Sequence, residues 1–286
     1  MKLARAGSAG AETPVLVADD GTLRDLSDHE TDFDADFFAS GGLERIRALD
    51  PASLPTITAT RLGPCIARPG LLMCIGLNYA DHARETGASI PDEPILFQKA
   101  TNTVVGPDDP IIIPKASGNE AAAQTDWEVE LGVVAGAGAR YLADEAAGWA
   151  AIAGYAISND VSERAFQFEH GGQWTKGKSC ESFNPLGPWF VSADEVADPL
   201  ALAMRTTVNG EVMQDGSTAT MIFNPGHLVW YLSQFMVLEP GDLINTGTPP
   251  GVGLGMDPPR FLRAGDVVEV SIEGLGTQRQ VCRDAV

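Results

Sequence analysis

The sequence predicts a β-rich α+β domain. Short apolar or alternating runs recur along the chain, separated by turn residues, and long helical periods are scarce. Asn209-Gly210 interrupts an alternating run, LAMRTTVNGEVMQ, which is a strong hairpin signal. The chain has 286 residues, 44% hydrophobic and 20% charged, enough for a substantial core and too apolar for bulk disorder.

In chain order, PVLV (14–17) reads as a short strand, Asp20-Gly21 as a turn, and residues 34–49 as one or two short helices. A proline-punctuated stretch runs from Pro51 to Pro69, so residues 1–70 are expected to form a small N-terminal module and linker, and residues 71–286 the main domain. There LLMCIGL (71–77) reads as a buried strand, DHARETGA (81–88) as a short helix stopped by Gly87, and PILFQKA (94–100) as another strand. TNTVVGPDDPIIIP is a loop and a strand ending at Pro114. WEVELGVVAG (127–136) alternates before turning wholly apolar, which predicts a strand with one wet face at its start. Residues 144–160 read as a helix passing into a strand that ends at Asp160. A helix around 226–236 and a strand within 264–276 complete the set.

The net charge of -20 disfavours nucleic acid as a partner, because phosphate binding needs a basic surface. No apolar run reaches the roughly 18 residues that span a bilayer. The N-terminus lacks the apolar core of a signal peptide, so a cytoplasmic protein is expected. The four cysteines, Cys65, Cys74, Cys180 and Cys282, form no CxxC pair, which argues against zinc and against a disulfide framework. Cys74 reads as a packed core thiol. Cys180 has no histidine nearby in sequence to activate it as a nucleophile.

The candidate chemistry begins at Glu128 and Glu130. Residues i and i+2 of a strand share a face, so their charges repel, and no basic residue adjoins them in sequence. A divalent cation would relieve the repulsion; oxygen ligands suit Mg²⁺ or Mn²⁺. Asp160, at the end of a second strand, is placed to complete the set. Glu-x-Glu alone is weak, since carboxylates are usually exposed. His82 and Glu85 are three residues apart on a helix and share a face, so the carboxylate can orient the ring as a general base for water. The other histidines carry less: His29 lies in an acidic loop, His170 beside glycines, and His227 after Pro225-Gly226. Lys99, Arg164, Lys176 and Lys178 are candidate partners for an anionic substrate, and a lysine would also stabilise a developing enolate. NTGTPPGVG (245–253) is a Gly/Pro loop whose amides and Thr248 hydroxyl suit a carboxylate; it is not a phosphate-binding P-loop.

Taken together, these stretches resemble the fumarylacetoacetate hydrolase family. The matching pieces are GLNYADHARE (76–85), ILFQKATNTVVGP (95–107), DWEVELGVV (126–134), GYAISNDVSERAFQ (154–167), QWTKGKSCESFNPLGP (173–188), VNGEVMQDGSTATMIF (208–223) and NTGTPPGVG (245–253), in the family's order. Glu181-Ser182 departs from the Asp-Thr that relatives often carry. The resemblance implies a mixed β-sandwich roll, a homodimer, Mg²⁺ or Mn²⁺ on Glu128, Glu130 and Asp160, and a lid bearing His82 and Glu85. It places Arg164, Gln167, Lys178 and Thr248 at positions that hold the substrate or stabilise its charge. It implies hydrolysis of the C3–C4 bond of a small 2,4-dioxo acid, most similar to the branch acting on L-2,4-diketo-3-deoxyrhamnonate, with pyruvate and lactate as products. Isomerisation, decarboxylation or lyase chemistry on a related 2-oxo acid is the nearest alternative. Non-catalytic binding of anionic metabolites is the alternative from another class, and it leaves the His82–Glu85 pair without a purpose.

Overall fold

The computed structural model describes residues 1–116, 122 and 124–286. Its frame is a ten-stranded sheet. From one edge to the other its strands are Thr56–Ile57, Leu23–Asp25, Ala11–Val17, Lys2–Ser8, Phe190–Ser192, Ile152–Asn159, Val129–Ala135, Leu243–Asn245, Leu72–Gly76 and Ile95–Gln98. Neighbours run antiparallel except Leu243–Asn245 and Leu72–Gly76, which are parallel. A five-stranded sheet is ordered Glu211–Ser217, Ala203–Val208, Val267–Ile272, Gly276–Asp284, Ile111–Ile113.

The two sheets enclose the main core, an α+β mixed sandwich. Leu131, Val133, Tyr155 and Ile157 from the large sheet join Met204, Val208, Val268 and Val270 from the small one, with Leu228, Val229 and Leu232 from the helix Pro225–Leu232. A second core covers the other face of the large sheet. There Val134, Ala156, Leu72 and Phe190 meet Phe37, Phe38 and Ile46 from the helices Ala35–Ala39 and Gly42–Arg47. Because both faces are covered, Val129–Ala135 and Ile152–Asn159 are buried at every residue.

That double covering corrects one expectation. The start of the Val129–Ala135 strand has no wet face: Glu128 is 7% exposed and Glu130 1%. Alternating polar residues here mark a buried polar site, not solvent. The Asn209-Gly210 hairpin is present, with both residues at positive φ (52° and 80°), as a tight turn of this kind requires.

Among the strands that escaped the sequence pattern are Lys2–Ser8, Phe190–Ser192 and Gly276–Asp284. KLARAGS has a charged residue in its centre; Arg5 is buried with Asp32 accepting two hydrogen bonds from it, at 2.6 and 2.8 Å, and with Glu12 and the Pro64 carbonyl also in reach. The first strand pairs with Phe190–Ser192, Leu3 opposite Phe190, so the sheet runs without a break from the first residues into the main domain. Phe38 packs edge-on against Phe190, ring centroids 5.5 Å apart. We expect Phe38→Ala to cost about 3–5 kcal/mol and to lower a single urea transition. A separate early transition, with the remainder unchanged, would show instead that the first 70 residues unfold alone.

Candidate active site

Strand register builds the acidic cluster. Val129 lies opposite Asn159 and Glu130 opposite Ser158, so the chain entering one strand meets the chain leaving the other. There the Asp160 N–H donates to the Glu128 carbonyl at 2.9 Å. Carboxylate oxygens of Glu128, Glu130 and Asp160 consequently lie within 4.8 Å of one another, all three residues buried.

Three cations answer this charge. Lys178 Nζ donates to Glu128 Oε2 at 2.7 Å and to Asp160 Oδ2 at 2.8 Å. Arg164 Nη2 reaches Glu128 Oε1 at 2.7 Å and Asp126 Oδ2 at 2.8 Å, and its Nη1 donates to Gln167 Oε1 at 3.1 Å. Lys99 Nζ bonds Asp160 Oδ1 and the Phe183 and Val161 carbonyls. Relief absent from the neighbouring sequence thus arrives through tertiary contact. Gly177 makes part of this possible. The short helices Arg164–Phe168 and Thr175–Lys178 pack so closely that a Cβ at 177 would lie 2.4 Å from the Glu163 carbonyl oxygen and 2.6 Å from Gln167 N.

The two glutamates titrate in opposite directions. Burial pushes Glu128 up, but the Lys178 and Arg164 charges outweigh it and hold the carboxyl down at about 2. Glu130 is pushed well above the ordinary carboxylate range, by burial first and then by Asp160 and Glu128; Lys178 and the Gly247 N–H only partly offset this. That N–H donates to Glu130 Oε2 at 2.7 Å. Burial favours neutral Lys178, yet Asp160 and Glu128 hold its ammonium above the ordinary lysine range. A buried carboxylate kept from ionising by two others is what a hard divalent cation would relieve, so the donor set fits Mg²⁺ or Mn²⁺ on Glu128, Glu130 and Asp160.

His82 and Glu85 are in contact as well. On the helix Ala80–Thr86, His82 Nδ1 lies 2.9 Å from Glu85 Oε2. With Nδ1–H donated to the carboxylate, Nε2 carries the free lone pair of a general base. Glu85 Oε1 accepts from the Gly251 N–H at 3.0 Å, which ties the helix to the 245–253 loop.

A cavity of about 560 Å³ joins these groups. His82, Glu128, Glu130, Arg164, Gln167, Lys178 and Thr248 all line it. Lys99 does not, which corrects its expected contact with substrate. Its side chain is fully enclosed behind Asp160, because the cluster needs a cation there. Thr248 reaches the cavity, but its hydroxyl donates to the Val129 carbonyl at 2.9 Å and accepts from Gln214 Nε2 at 2.8 Å. Cys180 stays a thiol, pushed up to about 12 by burial and by Glu163. His227 stacks on Phe223 and Tyr231, and His170 meets the edge of Phe166; neither lines the cavity.

Sequence reading missed Asp126 and Gln214. Asp126 is buried, pairs with Arg164, and accepts from the Gly253 and Leu254 N–H groups at 2.7 and 3.0 Å. Its signal was present, since positions 126, 128 and 130 share the period of a strand. Gln214 braces both Val129 N and Thr248, and nothing local marks it.

Comparisons with known proteins agree with this arrangement. The family model for the C-terminal domain of fumarylacetoacetate (FAA) hydrolase matches residues 72–283, and the chain belongs to the fumarylacetoacetate hydrolase family. A Burkholderia multivorans protein named "Putative hydrolase" is 50% identical over 287 residues, with both chains fully covered. A solved fumarylacetoacetate hydrolase from Exiguobacterium antarcticum superposes with a TM-score of 0.88 at 35% identity, again over both full chains. A solved 2-hydroxyhepta-2,4-diene-1,7-dioate isomerase from Mycobacterium marinum gives 0.73 at 31% identity, over 99% of this chain and 98% of that one. Among the described residues, no helix is long and apolar enough to cross a membrane.

Glu130 yields a test of sign. Its carboxyl holds a proton in the folded, metal-free protein above the ordinary value of 4.5, where the unfolded chain has released it. The folded state then binds more protons, so metal-free stability falls as pH rises above that value. Glu130→Gln should flatten this slope and stabilise the metal-free protein, read from urea midpoints in chelator between roughly pH 5 and 8. Mn²⁺ should raise the wild-type midpoints most at the upper end. An unchanged slope in Glu130→Gln would place the missing charge elsewhere.

Proposed function

We propose that this protein hydrolyses the C3–C4 bond of a 2,4-dioxo acid of the acylpyruvate type, giving pyruvate and a second carboxylic acid. One observation carries the reading: an oriented histidine and two members of a buried three-carboxylate cluster, Glu128 and Glu130, face a single cavity. Pure binding of an anion needs no base.

A divalent cation on Glu128, Glu130 and Asp160 would supply Lewis-acid polarisation of a chelating 2-oxo carboxylate. His82 Nε2 takes a proton from water, and Glu85 stabilises the resulting imidazolium. The water oxygen bonds to C4. The C3–C4 bond then breaks, its electron pair passing into the three-carbon fragment as pyruvate enolate while C4 leaves as a carboxyl group. Lys178 sits where its ammonium can stabilise the enolate charge, and protonation at C3 completes pyruvate. Arg164 fixes Glu128 and Gln167. From L-2,4-diketo-3-deoxyrhamnonate, the sugar acid to which the sequence resemblance points, the second product is lactate.

Isomerisation is the second reading, favoured by the isomerase name of one solved relative. There the same base would move a proton between carbons, with no water added. Product analysis separates the two: with acylpyruvates and Mg²⁺ or Mn²⁺, mass spectrometry should show two acids, with ¹⁸O from water in the non-pyruvate acid. A product of unchanged mass identifies isomerisation; loss of CO₂ from oxaloacetate identifies decarboxylation. His82→Ala should lower kcat by about 10²- to 10⁴-fold while Mn²⁺ binding persists. Unchanged turnover in that variant refutes the role of the pair.

A further inference from the structure

We propose that the cavity selects an apolar acyl group and that Trp174 sets this preference. The inference rests on the acylpyruvate reading above and names the substrate class within it.

The cavity has two chemically distinct ends. Glu128, Glu130, Arg164 and Lys178 gather at one, where a carboxylate and oxo group would bind. A ladder of rings leads away from it. Lys178 Nζ stands 5.0 Å from the Phe97 ring centroid, Phe97 lies 5.3 Å from Trp174, and Trp174 lies 5.9 Å from Phe168, both ring pairs edge-on. The ladder therefore starts at the ammonium that faces the enolate and runs outward to Phe168, which is 47% exposed. Ile95 and Leu254 also line the cavity and are 37% and 39% exposed. Large apolar side chains left exposed around one opening mark a surface that an apolar ligand covers.

Gly76 shapes the wall. A Cβ there would lie 2.7 Å from a ring carbon of Trp174, so the indole rests directly on the strand backbone. Two hydroxyls that line the cavity are already engaged. The Thr86 hydroxyl lies within hydrogen-bond reach of the His82 and Ala83 carbonyls at 3.1 and 3.3 Å, and Thr248 is bonded as described. A hydroxylated acyl chain would lose water on entering and find fewer hydrogen-bond partners along the rings than it left behind. An aryl or alkyl chain would lose nothing and would cover the rings.

The test compares kcat/KM, with Mn²⁺, for benzoylpyruvate and a straight-chain alkanoylpyruvate against L-2,4-diketo-3-deoxyrhamnonate. The apolar substrates should lead by about 10-fold or more. In Trp174→Ala the ratio should fall toward one; a merely structural role for Trp174 would lower all substrates together and keep the ratio. Gly76→Ala, which displaces the indole without removing it, should erode the ratio in the same direction and serves if Trp174→Ala does not fold. Binding tests the wall without turnover: by calorimetry with Mn²⁺, phenylpyruvate should bind about 10-fold or more tighter than pyruvate, an advantage that either variant loses. No turnover with that binding preference intact defeats the hydrolase reading and keeps the apolar wall. Equal kcat/KM across the substrates, equal affinity for the two probes, or an unchanged preference in both variants overturns the proposal.

Discussion

Four carboxylates, those of Asp126, Glu128, Glu130 and Asp160, are buried together where two central strands meet. Isolated, such charges are too costly to remove from water. Three cations, Lys99, Arg164 and Lys178, enter the same interior and leave one negative charge over. In the metal-free protein a proton on Glu130 removes it. A divalent cation in place of that proton leaves the cluster with one net positive charge, which suits a carboxylate substrate. The balance explains why the cations are so heavily committed: each is engaged with the buried acids.

Bringing those cations in demands close backbone approach. Lys178 and Arg164 reach opposite oxygens of Glu128 because their two short helices touch at Gly177. Removing one partner from such a buried set costs more than the pair contributes, since it strands a charge. Substitutions at Lys178 or Arg164 therefore act on stability as well as on chemistry, and loss of activity there does not by itself assign a catalytic role. His82 is a cleaner probe, because its side chain is held by Glu85 at the rim and not by the buried cluster.

Much of this was legible in the sequence, and the reasons differ by element. Strands with continuous apolar runs, such as LLMCIGL, and the Asn-Gly hairpin carry their structure locally. Strand period puts Glu128 and Glu130 on one face and helix spacing pairs His82 with Glu85, but only the family-like stretches taken together raise either pair above an ordinary exposed one. What stayed hidden was long-range. Lys2–Ser8 can bury its central Arg5 because Asp32, far along the chain, and Glu12 pair with it. Local sequence does not separate the roles of Lys99 and Lys178; only packing sends one behind Asp160 and the other into the cavity. The wet face expected at Glu128 failed because period-2 polarity reads the same for solvent and for a buried polar site.

The 245–253 loop with the residue that follows it joins the two halves of the site. Gly247 N–H holds Glu130, Gly251 N–H holds Glu85, and the Gly253 and Leu254 N–H groups hold Asp126. Pro249 and Pro250, which have no N–H, occupy positions from which no carboxylate is bonded, and they limit the loop's freedom between those that are. Gly247 and Gly251 have φ of 95° and 101°, conformations that turn their amides inward at low steric cost. One segment thus holds Glu130 of the acidic cluster, Glu85 beside His82, and Asp126, the anchor of Arg164. The His82 helix is thereby joined, through Glu85 and Gly251, to the same segment that holds Glu130.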